Sequence, residues 1–350
     1  MKQNNAKHTV GGRQSFSQLI VSTLSAMAQG LFASLLIGTI LSTIGQQAGI
    51  ESLVDSGRFA MSMAGPAMAI AIAYAMKSSP LVIFSSAAVG AAANSLGGAG
   101  GPLAVYVIAL VSALCGKLVA GKTRIDIIVT PLITIGIGIT LAQLIAPAIG
   151  AAASSVGSII MWATEQQPFV MGIVVSVVMG ICLTLPISSA AICAALGLTG
   201  LAGGAALAGC CAQMIGFAFL SFRENRWSGL LSQGIGTSML QMGNIVKNPC
   251  IWIPPILVSA ITGPLATCLF QLEMNGPAIS SGMGTCGFVG QIGVYTGWMS
   301  DIAAGTRSGI SAYDWLGLLA ISFILPALLT PLFGNILRRM GWIKLGDMRL

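Results

Sequence analysis

Between Asp126 and Arg223 the chain carries a single charged residue, Glu165, and the intervals 14–50, 59–76, 78–116, 248–272, 274–300 and 315–337 carry none. Soluble domains devote about a quarter of their residues to charge, whereas Asp, Glu, Lys and Arg make up 7% of these 350 residues. Hydrophobic residues make up 55%, more apolar surface than one water-exposed core can hide. A bilayer crossing takes about 20 apolar residues, so the shorter intervals hold one crossing and the longer ones two or three. Membrane β-barrels alternate apolar and polar residues in strands of about ten, and runs such as 170–179 show no such alternation. Disorder needs low hydrophobicity, collagen a strict glycine period, and a cysteine scaffold a short secreted chain. The fold class that remains is an all-α polytopic membrane protein.

The intervals divide into about ten transmembrane helices, near 17–44, 59–76, 80–96, 102–121, 127–146, 168–186, 187–198, 200–221, 253–272 and 315–337. Lys and Arg gather in cytoplasmic loops. With both termini cytoplasmic, every Lys and Arg except Arg58 and Arg307 falls on the inner side. The formal net charge of +7 therefore reads as orientation and attraction to the inner leaflet, and it calls for no nucleic acid. Residues 1–16 form a cytoplasmic arm, 17–337 one transmembrane domain, and 338–350 a basic cytoplasmic tail. The first apolar stretch is longer than that of a signal peptide and reads as a retained span. Residues 147–167 read as an outer segment, and 223–252 as lying along the inner interface.

Three stretches, 85–101, 190–209 and 275–297, are crowded with Gly, Ala and Ser. Small residues allow helices to approach closely, and Gly97/Gly101, Gly200/Gly204 and Gly293/Gly297 have the small-xxx-small spacing. Broken helices and re-entrant hairpins need the same residues, because irregular backbone at membrane depth must be buried in protein or line a wet cavity. Close packing is the simpler reading of the first two stretches. Pro277, with the polar Asn275, Ser280, Ser281, Thr285 and Gln291, makes 275–297 a poor span and a good re-entrant hairpin. The runs SLGGAGGPLA and LTGLAGGAALAG also suggest a weak internal repeat of the kind found in transporters.

Little of the chain suits covalent chemistry. The one histidine, His8, lies in the polar N-terminal arm, too isolated for a metal or catalytic cluster. The eight cysteines form no CxxC pair and read as small buried hydrophobes. No GxxxxGK[ST] loop and no Ser/His or paired-carboxylate arrangement is present, so neither ATP hydrolysis nor intramembrane hydrolysis is expected, and no cofactor is implied. Glu273 stands out among the acids, since it ends a 25-residue uncharged run, 248–272. An ionisable group at membrane depth is by default a functional hypothesis, and the alternative is a helix cap at the outer interface. A carboxylate beside an amide and exposed backbone suits polyhydroxylated ligands, whose hydroxyls need donors and acceptors. The candidate substrate-binding residues are Glu273, Asn275, Ser280, Ser281 and Gln291, with Asn94 offering a polar face from 85–101. Asn244 and Asn248 are further candidates or simply parts of an interfacial loop.

The run EMNGPAISSGMGTCGFVGQIG from Glu273, preceded by NPCIWIPP from Asn248, resembles the phosphotransferase-system EIIC-like membrane proteins, a family that includes PfoR-type regulators. The resemblance extends over nearly the whole chain and is most specific at Ser281-Gly282-Met283-Gly284-Thr285. It implies a permease of a bacterial cytoplasmic membrane that binds a sugar between re-entrant hairpins and carries it inward by a rigid-body, elevator-like movement. The family's permeases are commonly homodimers, and separate EIIA and EIIB proteins would supply any phosphoryl transfer. Two departures stand out: the family's hairpin glutamate directly precedes proline, whereas Glu273 is separated from Pro277 by Met274, Asn275 and Gly276, and the membrane histidine of some members is missing. An ion-coupled carrier using Glu273, and a non-transporting regulator acting through its basic inner loops, remain alternatives.

Overall fold

The computed structural model describes residues 16–350; His8 and the basic residues of the N-terminal arm lie outside them. The described residues are helical, with no strand beyond one isolated antiparallel bridge, Gly200 to Met274. Six helical stretches are long and apolar enough to cross a membrane: Gln18–Ala48, Pro80–Val119, Asp126–Thr164, Gly200–Leu220, Pro249–Leu269 and Ala312–Arg339. Two shorter apolar helices, Ala64–Ala75 and Pro168–Thr184, accompany them.

The N-terminal half is a bundle. Helix α1 (Phe16–Leu31) continues through a π-helical turn, Phe32–Leu36, into α2 (Ile37–Ala48). Helices α3 (Glu51–Ser62) and α4 (Ala64–Ala75) return antiparallel to it, and α5 (Pro80–Gly97) turns at Gly98–Gly100 into α6 (Gly101–Val119). Gly65 and Gly90 face each other so closely that a side-chain carbon on either would overlap the other's carbonyl. The small-residue stretch 85–101 therefore packs helices, as its spacing suggests. Helix α7 (Asp126–Thr164) is 39 residues long and contains Pro131 and Pro147. It absorbs most of the expected outer segment 147–167.

The C-terminal half is built around α10 (Gly200–Leu220), which is buried along most of its length. Around it stand α8 (Pro168–Thr184), α13 (Ile253–Pro264) and α17 (Leu325–Arg339). Small residues make this possible: a methyl on Gly209 would overlap the Ser176 carbonyl, one on Gly263 the Gly172 carbonyl, and one on Gly216 the Thr330 hydroxyl. Between α8 and α10 lies α9 (Ser189–Leu196), closed by Gly197 in the left-handed region at φ 59°. Eight residues rise about 12 Å, so 187–198 is not a span. Its apolar composition gave no sign of its length, which Pro186 and Gly197 set. The region expected along the inner interface, 223–252, is segmented into α11 (Phe222–Leu231), a π turn at Ser232–Gly236, a short 3-10 turn and α12 (Met242–Lys247).

Candidate functional site

Distances along α10 show how the glycine-rich segment runs. Leu272 lies against Gly204, Ser281 against Gly203, and Gly284 against Cys210 and Met214. The limb that includes α14 (Ala278–Ser281) thus descends about ten residues of α10, roughly 15 Å at 1.5 Å per residue, half the hydrocarbon thickness. Gly284, Gly287 and Phe288, all at positive φ, make the turn, and α15 (Val289–Ala303) climbs back. The two ends meet again at the mouth, where Asn275 Nδ2 donates to Asp301 Oδ2 at 2.9 Å. Gly293 and Gly297 form the face on which the limbs touch, against Ser280 and against Asn275 and Gly276. Segment 275–297 is a hairpin that enters and leaves at one end of the bundle.

A second hairpin dips beside it. Helix α8 descends until Thr184 Oγ1 donates to Gln213 Oε1 at 3.2 Å; the chain turns at Leu185–Ser188, and α9 returns toward Gly200. Two serines tie the hairpins reciprocally. Ser189 Oγ donates to Gly282 O and Ser281 Oγ to Leu198 O, each at 2.7 Å, with both serines buried. The α5–α6 turn joins from the other bundle, with Ser188 N donating to Ala99 O at 2.9 Å. Ser188 and Ser189 thus link the turn that ends 85–101 to the hairpin 275–297.

A small, partly open cavity of about 70 Å³ lies at this junction. Its walls come from the π turn of α1–α2 (Phe32, Leu36), from Pro102, from Ile187 to Ala190, from Gly236 and Thr237, and from Met283 and Cys286. Ser188, Ser189 and Thr237 are its hydroxyl-bearing wall residues; Ser188 Oγ accepts from Ala191 N, Ser189 Oγ donates to Gly282 O, and Thr237 Oγ1 accepts from Met239 N. On the side of the basic tail lies a larger, polar vestibule of about 440 Å³, lined by Gln29, Glu224, Asn225, Ser228, Ser232 and Arg349 among others. Phe32 borders both spaces, its ring packed on Gly236, where a side chain would collide with it. π-bulges recur at functional sites, and this one carries the residue dividing the two spaces.

None of the six sequence-predicted site residues lines this cavity. Glu273 is exposed at the mouth and accepts from Asn275 Nδ2 at 3.2 Å. The reason is local: residues around it are extended, Leu272 and Met274 take the buried positions, and alternation turns Glu273 outward. Ser280 and Ser281 are buried in the descending limb. Gln291 stands on the ascending limb and donates to Ser322 Oγ at 3.0 Å, while its Oε1 is buried without a partner. Asn94 stays in the N-terminal bundle, packed against Gly65 and Gly101.

Sequence reading missed Ser188, Ser189 and Thr237, and also the polar core beneath them. Fully buried Gln213 accepts from Trp252 Nε1 at 2.9 Å and from Thr184, whose hydroxyl pairs with Ser238 at 2.8 Å. The signal was available: Gln213 is the one amide in Gly200–Leu220, and a buried amide is costly unless paired.

No curated protein matches the chain. The family model for the phosphotransferase system EIIC proteins matches residues 21–350, nearly its whole length. Its described helices and this match agree on a multi-pass membrane protein, and the chain belongs to the phosphotransferase system EIIC family.

Proposed function

We propose that the chain is a permease of a bacterial cytoplasmic membrane that binds a small polar solute of the sugar class where the two hairpins meet. The observation that supports this best is the pair of hairpins tied at Ser189–Gly282 and Ser281–Leu198 beside a cavity at the junction of the bundles. Ser188, Ser189 and Thr237 are the inner contacts. Glu273 and Asn275 meet the solute at the mouth, Ser280, Ser281 and Gln291 shape the hairpin, and Asn94 holds the facing bundle. At about 70 Å³ the cavity is far below the roughly 300–1,000 Å³ of a ligand pocket, so binding requires the bundles to part. This favours alternating access by an elevator-like shift of the C-terminal bundle. Both termini then face the cytoplasm, the chain works as a homodimer, and separate EIIA and EIIB proteins phosphorylate the solute.

Binding to the native state raises its melting temperature. Purified protein screened against a panel of mono- and disaccharides should gain stability with a subset, and Thr237→Val should shrink that gain. A panel without effect on well-folded protein would overturn the assignment of a sugar ligand.

A further inference from the structure

The segment 342–350 lies in a groove whose polar walls address its main chain. Asn225 Nδ2 donates to Met348 O at 2.8 Å, and its Oδ1 accepts from Leu350 N at 2.9 Å. Glu224 Oε2 accepts from Met348 N at 2.8 Å, and Gln241 Nε2 donates to Met348 O at 3.0 Å. Asn244 Nδ2 donates to Arg349 O at 3.0 Å, and Asn248 Nδ2 to Trp342 O at 2.9 Å. Each of these bonds is made to backbone; Asn248 also reaches the Asp347 carboxylate at 2.8 Å.

Apolar side chains are buried at two positions. Ile343 and Met348 are buried, at 2% and 0% exposure, among Phe217, Leu220, Ile245 and Ile251, while Lys344, Leu345 and Gly346 face outward. Amides that pair with a peptide's main chain, with pockets for spaced side chains, are a means by which grooves recognise peptides, and here the bound backbone is a run of bends and turns.

The same segment forms a wall of the inner vestibule, since Arg349 and Leu350 border it. It leaves α17 through an exposed turn, Met340 followed by Gly341 at φ 78°. We propose that this groove is a peptide-binding site for a turn-forming segment with apolar side chains five residues apart, filled in cis by 342–350, and that the segment acts as a releasable latch on the vestibule. On release, Glu224 and Asn225 face the vestibule that they already line, so they exchange one set of partners for another. The proposal is independent of the transport reading.

A protease site inserted between Met340 and Gly341, in the full chain, lets the latch be cut after folding. The cut segment is expected to remain bound in native mass spectrometry and to be displaced by excess synthetic peptide of residues 341–350. The same peptide carrying Met348→Asp should compete at least about tenfold less well, because it forfeits a fully buried side chain. Loss of the segment on cutting with no rebinding of the peptide would overturn the proposal. So would retention that no excess displaces, or equal competition by the two peptides. Should the insertion impair folding, Met348→Asp in the uncut chain serves instead: backbone exchange at 342–350 should rise while α10 stays protected, and unchanged exchange there would equally overturn it.

Discussion

Replacing Ser189 and Ser281 with alanine, singly and together, removes the two hydroxyls by which each hairpin holds the other. Each donates to a backbone carbonyl at 2.7 Å, and Ser189, Ser281, Gly282 and Leu198 are all buried. A hydrogen bond contributes about 1 kcal/mol net, and a buried acceptor left without a partner costs about 1–3 kcal/mol. With both carbonyls shut away from water, each substitution should cost about 2 kcal/mol. The ties share one interface, so the pair should cost less than the sum, because breaking one loosens the other. Amide hydrogen exchange in detergent-solubilised protein reads this locally. About 2 kcal/mol corresponds to roughly 30-fold faster exchange, confined to 187–200 and 278–288, with the α10 core unchanged. Protection within twofold of wild type in the double variant would refute the claim that these hydroxyls lock the hairpins into one unit, and a uniform rise through α10 would show a general loss of stability instead.

The remaining predictions address the gate, the packing and the inner face. Phe32→Ala should widen the passage between the cavity and the vestibule, so that Cys286 reacts with a membrane-impermeant charged maleimide from the vestibule side at least about tenfold faster, since thiol reactivity follows exposure, and an unchanged Cys286 rate would deny Phe32 this role. Gly209→Val drives a branched side chain into the Ser176 carbonyl, and overpacking of about 1–3 kcal/mol or more should lower the melting temperature clearly, a result an unchanged melt would contradict. Glu224→Gln leaves Arg338, paired with it at 3.3 Å and 16% exposed, without its counter-charge; breaking a buried pair costs about 3–5 kcal/mol, and a melt within error of wild type would show the pair to be dispensable.

What the sequence revealed followed from solvation, and what it hid followed from long-range geometry. Charge-free intervals fixed the helical membrane class because unpaired backbone cannot persist in lipid. The crowding of Gly, Ser and Pro at 275–297 announced a hairpin, since those residues disfavour a continuous span. Composition could not distinguish α9 from a crossing, because the lipid-like character of 187–198 is the same whether the helix runs 12 Å or 30 Å. Nor could it show that Pro147 would sit inside α7 rather than end a span. Glu273 drew attention as a rare charge, yet its direction depended on the extended backbone around it. Ser188, Ser189 and Thr237 carried no signal of their own, because their importance comes from the meeting of three distant segments.

Solute flux in proteoliposomes tests the central claim most directly. Protein reconstituted alone is loaded with each member of a labelled mono- and disaccharide panel, and exchange against external unlabelled sugar is followed. The account predicts exchange of at least one sugar, slowed when Ser189 and Ser281 are both alanine. Absence of exchange for every sugar, including any that stabilises the protein, would contradict a permease and leave a membrane sensor in its place.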